Sequence, residues 1–176
     1  MPEAPDLIVY QERLRAHLGD CLLEEVRIHS PFLLRSVAPF SCDLVGQALT
    51  DVELVGKRIA LGFGGPWMVI HLMIAGRLRL APPGKKPKGG KNVLLELPFA
   101  RDGEPVGTLA LTEMGSKKRA SLHLVPDRTG LEELDPGGLD PLHLDQAACA
   151  EVLRRENHTL KRALTDPRLF ARIGNA

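Results

Sequence analysis

The chain has 176 residues, 44% of them hydrophobic and 26% charged, with a formal net charge of +1. That is enough for one sizeable core, and the composition excludes disordered, collagen-like and disulfide-framework chains. No apolar run approaches the roughly 18 residues of a membrane span, and no basic leader precedes a small-residue cleavage site.

The N-terminal segment MPEAPDLIVY leads into a helical stripe of Leu7, Tyr10, Leu14 and Leu18, with Asp6 expected as its N-cap. Pro2 and Glu3 lie upstream of that cap and are not needed to start it. The sequence then reads as short strands separated by Gly, Pro or charge: VRIHS, FLLRS, VELVG, RIALGF, WMVIHL, RLRL, NVLLEL, TLALTE and ASLHLV. Eight or so strands without intervening helices predict an antiparallel sandwich or barrel. APPGKKPKGGK between two of them is expected as a loop, since its turn residues and like charges oppose regular structure.

The character changes after about residue 135. DPGGLDPL reads as a turn-rich hinge, Asp145 as the N-cap of a helix through QAACAEVLRRE, and Leu160, Ala163 and Leu164 as a second helical stripe that Pro167 limits. The expected organisation is a β domain over 1–135, a hinge over 136–144 and the first helices of a second domain over 145–176.

Several chemical motifs fail. GKKPKGGKN lacks the spacing and the Ser/Thr of a phosphate-binding loop. The six histidines show no metal-ligand spacing, so no metal ligand is expected in this chain. Cys21, Cys42 and Cys149 fit neither a disulfide framework nor a zinc pair, and reduced thiols of a cytoplasmic protein are expected. Positive charge is nonetheless clustered. Lys85, Lys86, Lys88 and Lys91 form one island, Lys117, Lys118 and Arg119 a second, and Arg154, Arg155, Lys161 and Arg162 a third. Such islands are either solvated surface or a track for a phosphate backbone.

Four segments in order resemble the formamidopyrimidine-DNA glycosylase/endonuclease VIII family of base-excision repair enzymes. MPEAPDLIVY is similar to the family's N-terminal Met-Pro-Glu-Leu-Pro-Glu motif. Gly56-Lys57 with IHLMIAGRLRL resembles its central strand pair. LTEMGSKKRASLHLV stands in the place of its Asp-Pro-Arg-Arg-Phe-Gly segment, and NHTLKRALTDPRLFARIGNA resembles the start of its helix–two-turns–helix element. The implied fold is mainly β with α: an N-terminal helix, an antiparallel β-sandwich of about eight strands, and C-terminal helices of a truncated helix–two-turns–helix domain.

The resemblance implies a DNA glycosylase with AP lyase activity, acting as a monomer in the bacterial-type cytoplasm on double-stranded DNA that carries a damaged base or abasic site. Once Met1 is removed, Pro2 is the amine nucleophile. An α-amino group has a reference pKa of about 7.7–8.0 against about 10.4 for lysine, so far more of it is free near neutrality. Glu3 is the implied proton shuttle, and Asp6 stands where glutamate is usual. Lys57, His71 and Asn157 are implied to hold phosphates flanking the lesion, as two potential cations and an amide donor. The plain alternatives are a strand-end charge, a core histidine and a helix cap. Met73 or Ile74 is the implied wedge that fills the base stack after a nucleotide is turned out. Lys117, Lys118, Arg119 and Lys161 are implied DNA contacts.

The sequence departs from the family pattern at 117–119, where no aromatic residue stands, which weakens a claim to oxidised-purine specificity and leaves oxidised pyrimidines or abasic sites open. Family members continue past this length into a zinc finger or a zincless equivalent. The expectation is therefore a fragment with no cofactor of its own and weak activity alone. The alternative is a family member that grips damaged DNA without cutting it.

Overall fold

A computed structural model describes residues 2–174. Helix α1 spans Ala4–Leu18, one turn earlier than the sequence suggests, with Glu3 at the N-cap. Asp6 is therefore not the cap. It occupies the third helical position, where its carboxylate accepts the Glu3 backbone N–H at 3.0 Å. Asp6 in the first turn and Arg15 and His17 in the last complement the helix dipole. Leu7, Leu14 and Leu18 are buried along the inner face.

Nine strands are formed among the described residues: β1 (Leu22–Leu23), β2 (Arg27–Ile28), β3 (Asp51–Val55), β4 (Arg58–Gly62), β5 (Trp67–His71), β6 (Gly76–Ala81), β7 (Val93–Arg101), β8 (Glu104–Glu113) and β9 (Ser121–Val125). They make two antiparallel sheets. One has the order β1-β7-β8-β6 with β2 also on β7, and the other β3-β4-β5-β9. Ile59, Leu61, Met68, Ile70, Leu122 and Leu124 of the second sheet face Leu78, Leu95, Leu97, Phe99, Leu109 and Leu111 of the first, and α1 adds its three leucines to that core. The helix is tied to the second sheet where the Gln11 amide donates to the Val52 carbonyl at 2.8 Å. The sandwich alternative of the sequence reading is the observed one.

The outer face of the second sheet is covered too. A short helix α2 (Arg128–Glu133), capped where Asp127 accepts the Gly130 N–H at 2.9 Å, seats Leu131 on Val55, Ala60, Trp67 and Val69. Arg128 lies 5.8 Å above the Trp67 ring. Burial on both faces explains why WMVIH is a continuous apolar run rather than an alternating one.

Three expectations are corrected. FLLRS is not a strand: Pro31–Leu33 form a turn and Phe32 is 77% exposed. Only Leu34 bridges Leu122, in parallel, at the edge of β9. VRIHS shortens to the two residues of β2, and α2 was not foreseen.

After the 3₁₀ turn Pro141–His143, α3 (Gln146–Arg154) starts at Asp145, which accepts the Ala148 N–H at 2.8 Å, as expected. Helix α4 (Leu160–Thr165) is capped by the Thr159 hydroxyl, so Asn157 is not its cap. Val152, Ala163, Leu169 and Phe170 form their own small core. The last described residues fold back on the segment before α3: Leu139 donates to the Leu169 carbonyl at 3.0 Å, and Ala171 donates to the Leu139 carbonyl at 2.9 Å. Gly138 permits this approach, because a Cβ there would collide with the Pro167 carbonyl.

Candidate active site and nucleic-acid face

The strand registers bring most of the candidate residues to one end of the sandwich. Arg58 pairs with His71 and His71 with Ser121; in the other sheet Gly76 pairs with Glu113 and Val93 with Thr112. The β3–β4 turn, the β5–β6 turn, the β8–β9 loop and the start of β7 therefore share that end. Lys57 sits in the two-residue β3–β4 turn, where Gly56 has φ +55, the left-handed backbone that glycine supplies without strain. Gly56 is also pressed against Pro136, whose Cδ would lie 3.1 Å from an added Cβ.

Pro2 is buried and Glu3 half-buried. The Glu3 carboxylate lies close enough to Lys57 to oppose the loss of its proton, although burial of the ammonium dominates and holds the Lys57 pKa below the ordinary lysine value. The start of α1 and the β3–β4 turn thus form one charged corner. Asp6 fixes the Glu3 backbone at the helix cap.

His71 is set one residue row further along the outer face of the second sheet, beside Arg58 and diagonal to His123. Burial first, then the positive charges of Arg58 and Lys57 and the neighbouring His123, lower its pKa from 6.5 to about 4. His71 is thus neutral at pH 7, and the second cation expected there is absent in the free protein. Its Nε2, the His123 Nδ1 and the Arg58 Nε are buried without hydrogen-bond partners among the described residues. Burial, followed by Arg58 and Arg35, lowers the His123 pKa as well. Arg58 Nη1 donates to the Leu134 carbonyl at 2.7 Å, tying this row to the segment after α2.

Met73 and Ile74 occupy the β5–β6 turn. Met73 has φ +53, a left-handed conformation uncommon for a side-chain-bearing residue. The turn is held by the Gly76 N–H to the Leu72 carbonyl at 2.9 Å and by Arg77, whose guanidinium donates to the Ile74 and Gly76 carbonyls. Ile74 is 58% exposed while Met73 is half-buried, so Ile74 is the freer apolar tip.

The β8–β9 loop is shaped from inside. Glu113, 2% exposed, accepts the backbone N–H groups of Arg119 and Ala120 at 2.8 and 3.0 Å. Lys118 turns inward to the Asn92 side chain at 2.8 Å and to the Glu113 carbonyl. Lys117 and Arg119 remain exposed.

Asn157 and Lys161 are exposed in the α3–α4 loop and on α4, and no described contact brings them to Glu3 or Lys57. The C-terminal segment that does reach Glu3 was missed: Gly174 packs directly on the Glu3 carboxylate. Its signal in the sequence is Arg172-Ile173-Gly174, where Arg172 takes φ +65 and its guanidinium is held by Asp140 at 2.7 Å. Met1 lies outside the described residues. Among the described residues no group of three or more His, Cys, Asp or Glu could hold a metal ion, and no helix is long and apolar enough to cross a membrane. The apolar cavity of about 190 Å³ between α1 and β6 is lined by none of the candidate residues.

A proline-headed helix, a lysine turn coupled to the helix-capping carboxylate and the β8–β9 loop thus share one end of a two-sheet sandwich. The profile of the formamidopyrimidine-DNA glycosylase N-terminal domain matches residues 1–111, and the chain belongs to that family. It is 31% identical over 185 residues to formamidopyrimidine-DNA glycosylase of Mycolicibacterium gilvum, covering 99% of this chain and 63% of that protein. It is 28% identical over 178 residues to the Moorella thermoacetica protein of the same name, covering 99% and 64%. The structure of Lactococcus lactis Fpg in complex with abasic-site DNA superposes with a TM-score of 0.82 at 20% identity, over 98% of this chain and 63% of that one; this is a likeness of fold. The chain thus spans a little under two thirds of these relatives.

Proposed function

We propose that this chain carries the catalytic corner of a base-excision DNA glycosylase with AP lyase activity, working in the cytoplasm on duplex DNA with a damaged base or abasic site. The observation that carries the reading is the meeting of Pro2–Glu3, at the head of α1, with Lys57 in the β3–β4 turn.

With Met1 removed, the Pro2 nitrogen is a secondary amine. Its lone pair attacks C1′ of the nucleotide, and the base leaves with the glycosidic electron pair and a proton. Glu3 delivers a proton to the sugar ring oxygen as the C1′–O4′ bond opens, leaving an iminium cation between Pro2 and C1′. That cation draws electrons from C2′, whose proton is lost, and the 3′ phosphate departs by β-elimination; loss of the 5′ phosphate by δ-elimination can follow. Asp6 positions Glu3 through the helix cap. Lys57 and His71 hold phosphates beside the turned-out nucleotide, with His71 entering neutral as a hydrogen-bond donor and gaining charge as a phosphate approaches. Ile74 or Met73 fills the vacated stack. Lys117, Arg119, Asn157 and Lys161 contact the backbone further out, and Lys118 orders the loop from beneath. A zinc finger or its zincless counterpart belongs to the remaining third of the family's length, and no step assigned to these residues requires it.

Borohydride reduction tests this. Protein with a free Pro2 amine is expected to form a covalent adduct with abasic-site duplex, and retention of Met1, which makes the nitrogen an amide, is expected to abolish it. A processed protein that binds the duplex yet yields no adduct would refute the lyase assignment and favour a non-cutting binder.

A further inference from the structure

We propose that the lysine-rich segment 82–92 and the β8–β9 loop form one continuous phosphate track, which grips the duplex on one side of the lesion. This rests on the functional reading above and extends it to residues outside the catalytic corner.

The connectivity carries the first part. Strand β6 starts at the catalytic end, where Gly76 pairs with Glu113, and finishes at the far end, where Ala81 pairs with Thr108. Strand β7 begins again at the catalytic end, with Val93 opposite Thr112. The intervening segment must therefore return along the sheet, and it lands where Gly89 abuts Thr112 and Val93. Its four lysines are thus laid out from the far end toward the site.

Charge carries the second part. The whole chain is nearly balanced, with 23 Lys and Arg against 22 Asp and Glu, yet no acid occurs between Ala81 and Glu96. None of Lys85, Lys86, Lys88 and Lys91 has a salt-bridge partner among the described residues. Solvated surface lysines are ordinarily interspersed with acids, because crowding like charge opposes the compact state. Four unpaired lysines on a turn-rich segment fit a partner that brings a regular row of negative charge, as the phosphates of a duplex do.

The third part is physical continuity. The Lys118 ammonium donates to the Asn92 side chain at 2.8 Å, joining the β8–β9 loop to the end of the lysine segment. Between them lies an open groove of about 540 Å³ lined by His29, Ser30, Lys86, Lys91, Glu96 and Lys118. Its one acid, Glu96, is already engaged by Arg27 at 3.6 Å and faces His29 at 3.5 Å. The groove therefore presents net positive charge, and it reaches the β8–β9 loop at Lys118.

The test compares wild type with K85Q/K86Q/K88Q/K91Q and the corresponding four-arginine variant, on a duplex with a central tetrahydrofuran abasic analogue, across a series of salt concentrations. Each lost phosphate contact lowers the slope of log K against log salt by about 0.9. The glutamine variant should be shallower by about 2–3 and bind at least tenfold more weakly at low salt. The arginine variant should match wild type. Trimming the duplex on one side of the lesion should erase the difference between variant and wild type, and trimming the other side should leave it. Borohydride adduct yield with saturating abasic-site DNA should stay unchanged, which separates this proposal from the assignment of Pro2. Equal slopes and affinities, or a difference that either trimming removes equally, would overturn the track. A wild type that shows no salt-dependent duplex binding would overturn it together with the functional reading.

Discussion

Acidification should destabilise this protein through His71, and the size of the effect follows from its surroundings. The folded chain holds His71 at a pKa of about 4, against an ordinary value of 6.5, because burial and the Arg58 and Lys57 charges disfavour the imidazolium. Between those two values the unfolded chain binds the proton and the folded chain does not, so stability is full above pH 6.5 and falls as pH drops toward 4. From pH 7 to pH 5 a single group with this shift loses about 2 kcal/mol, and about 1 kcal/mol once its partial access to solvent is allowed for. For a chain of this length that is roughly 2–4 °C in melting temperature. His123, lowered by burial and by Arg58 and Arg35, acts in the same direction. Thermal melts of wild type and His71→Gln at pH 7, 6 and 5 isolate the contribution, since every other titrating group is common to both. The wild-type midpoint should fall by a further 2–4 °C, roughly, relative to the variant across that range. Parallel falls would refute the claim that His71 is kept neutral by its neighbours.

Three further perturbations follow from the same end of the fold. Glu113→Ala strands the Arg119 and Ala120 N–H groups and should cost about 2–4 kcal/mol in urea melts, whereas Glu113→Gln, which keeps an acceptor, should recover about half. Asp6→Ala removes the acceptor of the Glu3 N–H and should lower stability by about 1 kcal/mol while slowing adduct formation; Asp6→Asn should retain most of both. Gly174→Ala puts a methyl group where the Glu3 carboxylate lies, its Cδ being 2.7 Å from the added Cβ. Because a flexible side chain can swing away, the melting temperature should barely move, but adduct formation in single-turnover borohydride trapping should fall at least tenfold.

The alternating segments and the continuous apolar ones such as WMVIH were legible as strands in the sequence, and the edge-bound ones were not. RLRL and SLHLV alternate because one face of each meets the core, and both are strands. FLLRS carries equally apolar residues, but its pairing is a single bridge at the edge of β9, and local pattern contains no information about such an edge. Helix α2 escaped notice because its six residues expose one buried leucine, Leu131, and its job is to cover Trp67 and Val69, a long-range fact. At the site, Pro2, Glu3 and Lys57 stood out through the resemblance of short contiguous motifs, and the packing of the α1 start beside the β3–β4 turn brings them together. The neutral state of His71 could not be read, since it depends on burial in the sheet and on Arg58 across the strand pair. Gly174 could not be read either: its contact with Glu3 joins the two ends of the chain.

The electrostatics of the catalytic end link folding to function. Lys57 is held at a lowered pKa by burial, Arg58 has an unpartnered Nε, and His71 is kept from charging by burial and then by the charges of Arg58 and Lys57. Glu3 beside Lys57 and Asp135 beside Arg58 offset part of this, and none of the acids acts on His71. Under the proposed function, a phosphate docking beside Lys57 sets a negative charge against these neighbours, which favours the charged forms of His71 and of Lys57 against the burial that disfavours them. Any proton His71 gains on binding is taken up from solution, so by linkage the affinity is expected to rise as pH falls into the range where the DNA-bound histidine titrates, even as the free protein becomes less stable. Under the proposed function, the opposite pH trends of stability and affinity have one origin: the half-buried His71 has the positive charges of Arg58 and Lys57 beside it, and a phosphate would bring the negative charge that favours its imidazolium.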